Sequence, residues 1–147
     1  MLQIYKTKDV KTPERKGRNA GFDFFVPEDY PTTHLLPRGS ITIPSGIKVR
    51  LPEGYVLIAF NKSGLAANYK LHVGACVVDE NYTGEIHLDV HNRSYNEFLI
   101  TPGLKLMQFI LIKQVYHEVV EIESEDELYA NFNTKERGRA GFGSTGI

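Results

Sequence analysis

The sequence lacks several features that would place the protein in large functional classes. One cysteine among 147 residues excludes an internal disulfide framework and favours a reducing compartment. A net charge of −1 gives no global basic field of the kind that binds long nucleic acids. No apolar run is long enough to span a membrane, and residues 1–6 lack the apolar core of a signal peptide. These absences predict a soluble protein of the cytoplasm or nucleus.

Short apolar runs separated by turn residues make up most of the chain, within a length that favours one domain. The predicted strands are 41–43, 47–51, 55–60, 73–78, 85–90, 98–100, 104–112 and 115–122. One short helix is predicted near Gly64 to Tyr69, and a hairpin turn over 79–84 is predicted to join 73–78 to 85–90. Many short strands at regular spacing predict an all-β fold, either a barrel or a jelly roll.

The C-terminal part differs in composition from the rest, because the chain becomes acidic at Ser124 and then rich in glycine. We therefore predict a β-barrel domain over residues 1–123 and a flexible arm over residues 124–147. The last eleven residues, 137–147, hold four glycines, two arginines and one phenylalanine. Glycine allows close backbone approach, arginine matches phosphate oxygens, and an aromatic ring stacks on a base. This end of the arm is predicted to close over a nucleotide.

Residues 61–66 connect the predicted strand 55–60 to the predicted helix. Ser63 and Gly64 at a helix start expose backbone N–H groups, which bind anions, and Lys62 adds a positive charge. The alternative is that Ser63 is only the N-cap of the helix. Gln108, within a late apolar run, is either a hydrogen-bonded polar group or a second phosphate ligand.

The segment 74–85 is the candidate pocket. Open backbone groups there can hydrogen-bond the edge of a pyrimidine, Asp79 can act as a general base on water, and Tyr82 can pack on a sugar. The alternative is a plain β-turn, because Asp and Asn favour turns for backbone reasons alone.

Two further polar patterns have more than one interpretation. Asp23, in the run 20–24, is either a functional carboxylate or an ordinary strand residue facing solvent. His87, Asp89 and His91 alternate along one strand and so share a face. That spacing permits metal binding, but a polar strand face or a subunit contact is the preferred interpretation.

Taken together, five segments resemble the five ordered motifs of the trimeric dUTPase family. They are residues 20–23, 62–66, 77–85, 103–108 and 137–146. The connecting turns 43–46 and 51–55 are also similar, so the resemblance covers nearly the whole chain. It implies a jelly-roll-like distorted barrel that forms a homotrimer, with each active site built from all three subunits. The implied reaction is hydrolysis of dUTP to dUMP and pyrophosphate, with Mg²⁺ held mainly by the triphosphate.

The resemblance also implies a role for each matching residue. Asp79 would hold the deoxyribose hydroxyl and orient the attacking water, Tyr82 would stack on the sugar, and Asp23 would act on the metal through water. The implied phosphate ligands are Lys62, Ser63, Gly64, Gln108 and Arg137. The implied uracil contacts are Val73, Val77, Val78, His87 and Phe142, with Gly143 and Ser144 beside Phe142 in the arm.

The sequence departs from the family pattern at four positions. Lys62 stands where arginine is usual and so lacks the bidentate fork, and Cys76 replaces a glycine in the uracil hairpin. Asn81 and Thr83 replace an aspartate and an arginine or glutamine. Two alternative functions remain open at this point. One is a dCTP deaminase of the same fold with Asp89 near the place of its catalytic base, and the other is a non-catalytic nucleotide-sensing or partner-binding module.

Overall fold

The computed structural model describes residues 1–131, and these residues are predominantly β-structure. The strands are β1 (Gln3–Lys6), β2 (Gly21–Phe25), β3 (Thr33–Leu35), β4 (Ser40–Pro44), β5 (Ile47–Arg50), β6 (Tyr55–Phe60), β7 (Leu71–Val73), β8 (Val77–Val78), β9 (His87–Asn92), β10 (Phe98–Ile100) and β11 (Lys105–Lys113). The helices are α1 (Ser63–Tyr69) and α2 (Glu125–Leu128). The all-β prediction with a short helix after β6 is therefore confirmed, and α2 is an additional short helix.

The strands form four antiparallel sheets in a jelly-roll-like arrangement, and no closed barrel is formed by residues 1–131. The largest sheet has the order β2-β11-β6-β8, and a second has the order β4-β9-β7. The remaining pairs are β1-β5 and β10-β3. β11 lies at the centre of the largest sheet, so residues on this strand meet both β2 and β6.

One apolar core joins the four sheets. Phe24 of β2 and Phe109 of β11 pack with ring centroids 4.5 Å apart, and both are fully buried. Leu88 of β9 and Ile100 of β10 are also fully buried, so the other sheets contribute to the same core. Burial of each such side chain stabilises the fold by about 1.5–3 kcal/mol.

The predicted hairpin over 73–78 and 85–90 is wrong in its pairing. β7 pairs with β9, but Val78 of β8 pairs with Leu57 of β6 in the largest sheet. The chain leaves the β7-β9 ladder at Gly74, because the Asp89 carboxylate accepts the next N–H, that of Ala75, at 2.7 Å. Burial of Val78 against the core then holds the short strand in its new sheet.

The chain divides into two compact units, Met1–Val115 and Tyr116–Ile147. The predicted strand 115–122 is wrong, because the structure has no strand there. Val115, Val119 and Val120 are 72%, 99% and 70% exposed, so the segment lacks the buried face that an amphipathic strand needs. The assignment of residues 124–147 to an arm stays a prediction.

Within the second unit, α2 forms in the acidic stretch. The Ser124 hydroxyl caps the helix by accepting a hydrogen bond from the Glu127 N–H at 3.2 Å. The acidic residues of the first turn interact favourably with the helix dipole. Neither helix in residues 1–131 is long and apolar enough to cross a membrane.

Candidate active site

A charged cluster forms where β2, β6 and β11 lie side by side. Gln108 of β11 is opposite Asp23 of β2 on one side and Phe60 of β6 on the other. The Asp23 carboxylate binds the ammonium of Lys62, just after β6, and its second oxygen lies 3.3 Å from Lys105 Nζ. Gly21 makes room for the side chain of Gln108, because a Cβ there would lie 2.6 Å from Gln108 Oε1. The structure thus brings together Asp23, Lys62 and Gln108.

Two residues that sequence reasoning did not assign complete this cluster. Lys105 also binds Glu14, and the backbone of Glu14 is hydrogen-bonded in both directions to that of Asp23. Partial burial raises the pKa of Asp23, but the hydrogen bonds and charges of Lys62 and Lys105 outweigh it and lower the pKa below its usual value. The hydrogen bond from Lys105 lowers the pKa of Glu14, and that same bond raises the pKa of Lys105. Asp23 is therefore a stable anion at neutral pH.

The start of α1 lies next to this cluster. Lys62 occupies the N-cap position with no side-chain capping hydrogen bond, so the alternative of Ser63 as the N-cap is wrong. Ser63 and Gly64 are instead the first two helical residues, and Lys62 O accepts the Ala66 N–H at 2.9 Å. Because the Lys62 side chain does not cap the helix, the N–H groups of the first turn can donate to another acceptor.

Asn61 connects the charged cluster to the segment that follows α1. Its carbonyl oxygen accepts from Gln108 Nε2 at 2.8 Å, and its side-chain oxygen accepts from Val73 N–H at 2.8 Å. Asn61 belongs to the run 61–66 that precedes α1, and nothing in the sequence signals these two contacts. It fixes the orientation of the Gln108 amide.

A pocket of about 230 Å³ lies beyond β8. It is lined by Ala75, Cys76, Val77, Val78, Tyr82, Glu85, Ile86, His87 and Phe109. The structure therefore brings Val77, Val78, Tyr82 and His87 together, with Cys76 on the same wall. Val73 lies instead in a second cleft of about 590 Å³ with Arg38 and Arg93. The smaller pocket is a size that suits a single ring rather than a large ligand.

Asp79 follows Val78 at the edge of this pocket. The Tyr82 N–H donates to Asp79 O at 3.1 Å and closes a tight turn. The Asp79 side chain is exposed, and within residues 1–131 its carboxylate has no hydrogen-bond or ion-pair partner. Glu85 O accepts from both Tyr82 Oη and His87 Nδ1, each at 3.0 Å. One carbonyl oxygen thus fixes the rings of Tyr82 and His87.

Asp89, on the polar face of β9, makes hydrogen bonds that hold neighbouring segments of the fold together. Asp89 accepts hydrogen bonds from Thr42 Oγ1 at 2.8 Å and from Ala75 N, while His91 Nε2 lies 4.0 Å from its carboxylate. Residues 1–131 contain no group of three His, Cys, Asp or Glu side chains arranged to hold a metal ion. Because both carboxylate oxygens of Asp89 are engaged, this residue is a poor general base, which counts against the deaminase alternative.

The predicted arm contacts lie outside the described residues. These are Arg137, Phe142, Gly143 and Ser144.

The fold and site define a class of protein: an all-β chain with a cluster of paired charges on β2, β6 and β11 and a pocket of pyrimidine size after β8. Residues 7–146 match the model of the dUTPase family, and the chain belongs to that family. It is 32% identical to the deoxyuridine 5'-triphosphate nucleotidohydrolase of fowlpox virus over 99% of this chain and 97% of that protein.

Two solved structures share the fold. A dUTPase of Staphylococcus bacteriophage 80alpha, with dUpNHpp, superposes with a TM-score of 0.81 at 23% identity, over 100% of this chain and 99% of that one. A dUTPase from phage phi11 of S. aureus, described with a structural Mg(II) ion, superposes with a TM-score of 0.76 at 23% identity, over 86% and 99%.

Proposed function

We propose that this chain hydrolyses dUTP to dUMP and pyrophosphate, with Asp79 orienting the water that attacks the α-phosphorus. The observation that carries the proposal is the exposed Asp79 carboxylate, without a partner among residues 1–131, at the edge of a ring-sized pocket in a chain of the dUTPase family. A carboxylate placed there can accept a proton from water as the bond to phosphorus forms, and pyrophosphate then leaves.

The charged cluster would hold the phosphates. Lys62, the Gln108 amide and the uncapped N–H groups of Ser63 and Gly64 supply donors for phosphate oxygens. In the free chain Asp23 neutralises Lys62, so a bound triphosphate competes with Asp23 for that ammonium. Since lysine is a point charge, it binds phosphate with less directional preference than the usual arginine.

The cluster fits Mg²⁺ that is carried by the substrate. Asp23 is an ionised carboxylate beside the proposed phosphate ligands, and Mg²⁺ commonly uses one or two carboxylates together with phosphates and water. When bound, the ion would neutralise charge that develops on the phosphates. Asp23 would hold it through water, with Lys105 still 3.3 Å from one of its carboxylate oxygens.

The pocket would hold the uracil and the sugar. Tyr82 is fixed through its hydroxyl and would stack on the deoxyribose, while Val77, Val78 and His87 surround the base. Cys76 narrows this pocket relative to the glycine usual in the family, so a thymine methyl group meets a smaller space. Val73 would contribute through its backbone, and Arg137, Phe142, Gly143 and Ser144 would close over the nucleotide.

We further infer a homotrimer that shares its active sites between subunits. The first unit leaves large apolar side chains exposed, as at Leu36 (62%), Tyr69 (52%) and Leu99 (46%). Exposed apolar surface of this kind marks subunit contacts when it is contiguous. Assembly would bring the arm of one chain to the pocket of another.

The substitution Asp79→Asn tests the role of the carboxylate. It removes the proton acceptor and keeps the size of the side chain, so we expect kcat to fall by about one hundredfold or more. We expect the affinity for dUpNHpp, measured by calorimetry, to stay within about threefold, because the amide of the new side chain can still hydrogen-bond the deoxyribose hydroxyl.

Asp29→Asn is the matched control, since Asp29 is an exposed aspartate outside both the cluster and the pocket. It should leave kcat unchanged. An Asp79→Asn protein that releases pyrophosphate as fast as the unmodified protein would remove Asp79 from the mechanism.

A further inference from the structure

Two turns carry glycines whose N–H groups donate hydrogen bonds to glutamate side chains of the segment between β8 and β9. Gly46, between β4 and β5, donates its N–H to Glu85 Oε1 at 2.6 Å. Gly54, between β5 and β6, donates its N–H to Glu80 Oε2 at 2.9 Å. Glu80 and Glu85 are near the two ends of the loop that joins β8 to β9, which we call the Asp79 loop (residues 79–86). The loop is therefore held at both ends by its own carboxylates.

The contact between Gly54 and Glu80 is adjacent to the proposed general base. Glu80 follows Asp79 directly, and its Oε2 also accepts from Gln114 Nε2 at 3.1 Å. Gln114 in turn donates its backbone N–H to Gly54 O at 2.9 Å. Because an ionised acceptor makes hydrogen bonds roughly twice as strong as a neutral one, this arrangement fixes the backbone that carries Asp79.

The contact between Gly46 and Glu85 is adjacent to the walls of the pocket. Glu85 fixes its own backbone through Gly46, and its carbonyl oxygen accepts from both Tyr82 Oη and His87 Nδ1. A carbonyl can only accept, so the imidazole donates from Nδ1. The next residue, Ile86, is buried and hydrogen-bonded to Ser45 and Ile47, which places Glu85 at a rigid point of the chain.

We propose that Glu80 and Glu85 are positioning residues with separate duties in dUTP hydrolysis. Glu80 orients the Asp79 carboxylate toward the attacking water. Glu85 fixes the rings of Tyr82 and His87, which contact the sugar and the uracil. The turns 43–46 and 51–55, which resemble the family outside its five motifs, then act as the anchors of the Asp79 loop. This inference rests on the proposed function, since it assumes the roles of Asp79 and Tyr82.

The two glutamates should affect different kinetic parameters. Glu80→Leu misaligns the general base, Asp79, but keeps the shape of the pocket. We therefore expect kcat to fall by about tenfold or more, while the dUpNHpp affinity stays within about twofold of the wild-type value. Glu85→Leu loosens the pocket, so we expect KM to rise and the dUpNHpp affinity to fall by about tenfold, with kcat changed less. Glu80→Gln and Glu85→Gln keep an acceptor oxygen and should recover most of each loss.

Glu53→Leu is the matched control, because Glu53 is an exposed glutamate in the same turn as Gly54. It should change neither parameter. The midpoint of thermal unfolding, measured for every variant, distinguishes loss of stability from misalignment of the active-site side chains. If Glu80→Leu and Glu85→Leu lower kcat and affinity in the same proportion, or leave both unchanged, the proposal is overturned while the role of Asp79 stands. If Asp79→Asn is fully active, the proposed function fails instead.

Discussion

Asp23 is an anion held between two cations, and this arrangement predicts how stability responds to acid. The pKa values of Asp23 and Glu14 are lowered in the folded protein, so their stabilisation is present above the unfolded pKa values near 4 and is lost as the pH falls through the folded ones. Lys105→Met removes the cation that they share. We expect it to lower the unfolding free energy at pH 6 and to have little effect near pH 2.

Urea unfolding at the two pH values measures this difference. Lys113→Met, at the exposed end of the same strand, is the control and should show no such pH dependence. An equal destabilisation by Lys105→Met at both pH values would mean that lost packing, rather than charge pairing, explains the effect.

Sequence reasoning reached some residues of this cluster and not others. Asp23, Lys62 and Gln108 lie in segments with a family resemblance, and the structure brings them together. Glu14 pairs with a lysine 91 positions away, and no local pattern signals such a contact. Asn61 acts through its own carbonyl oxygen, a group that every residue has. Their roles follow from strand register, which the sequence does not specify.

At the level of elements, the strands were easier to predict than their partners. Alternation in β9 is visible in the sequence, with Leu88 and Val90 buried and His87 exposed. The departure of the chain from the β7-β9 ladder was not visible, because it depends on one carboxylate, Asp89, which takes the N–H of Ala75. The segment 115–122 has the composition of a strand but no buried face.

Gly74 tests this element, because it lies where the chain leaves the ladder. A Cβ at Gly74 would overlap the Asp89 carboxylate and would lie 2.6 Å from His91 Nε2. We expect Gly74→Ala to lower the unfolding free energy by about 1–3 kcal/mol and to raise KM, since residues 75–78 line the pocket. Gly64→Ala, at an open position in α1, should not lower stability. Equal stability of the two variants would show that the ladder accommodates a side chain at Gly74.

For the whole molecule, the proposed sharing of active sites between the subunits of a trimer makes a prediction about mixed trimers. Asp79→Asn and Lys62→Met should each be nearly inactive alone. If Asp79 and Lys62 of one site come from different subunits, an equal mixture that is unfolded and refolded together should regain about a quarter of the wild-type kcat. Each variant refolded separately, then mixed, is the control. No recovery after joint refolding would place both residues of a site on one chain.

The most direct test of the mechanism is the fate of the oxygen from water. We predict that hydrolysis of dUTP in ¹⁸O-labelled water with Mg²⁺ puts one labelled oxygen into dUMP and none into pyrophosphate, as attack at the α-phosphorus requires. Mass spectrometry of the two products measures this. Label in pyrophosphate with unlabelled dUMP would contradict the account, because it would place the attack on the β-phosphorus, out of line with Asp79.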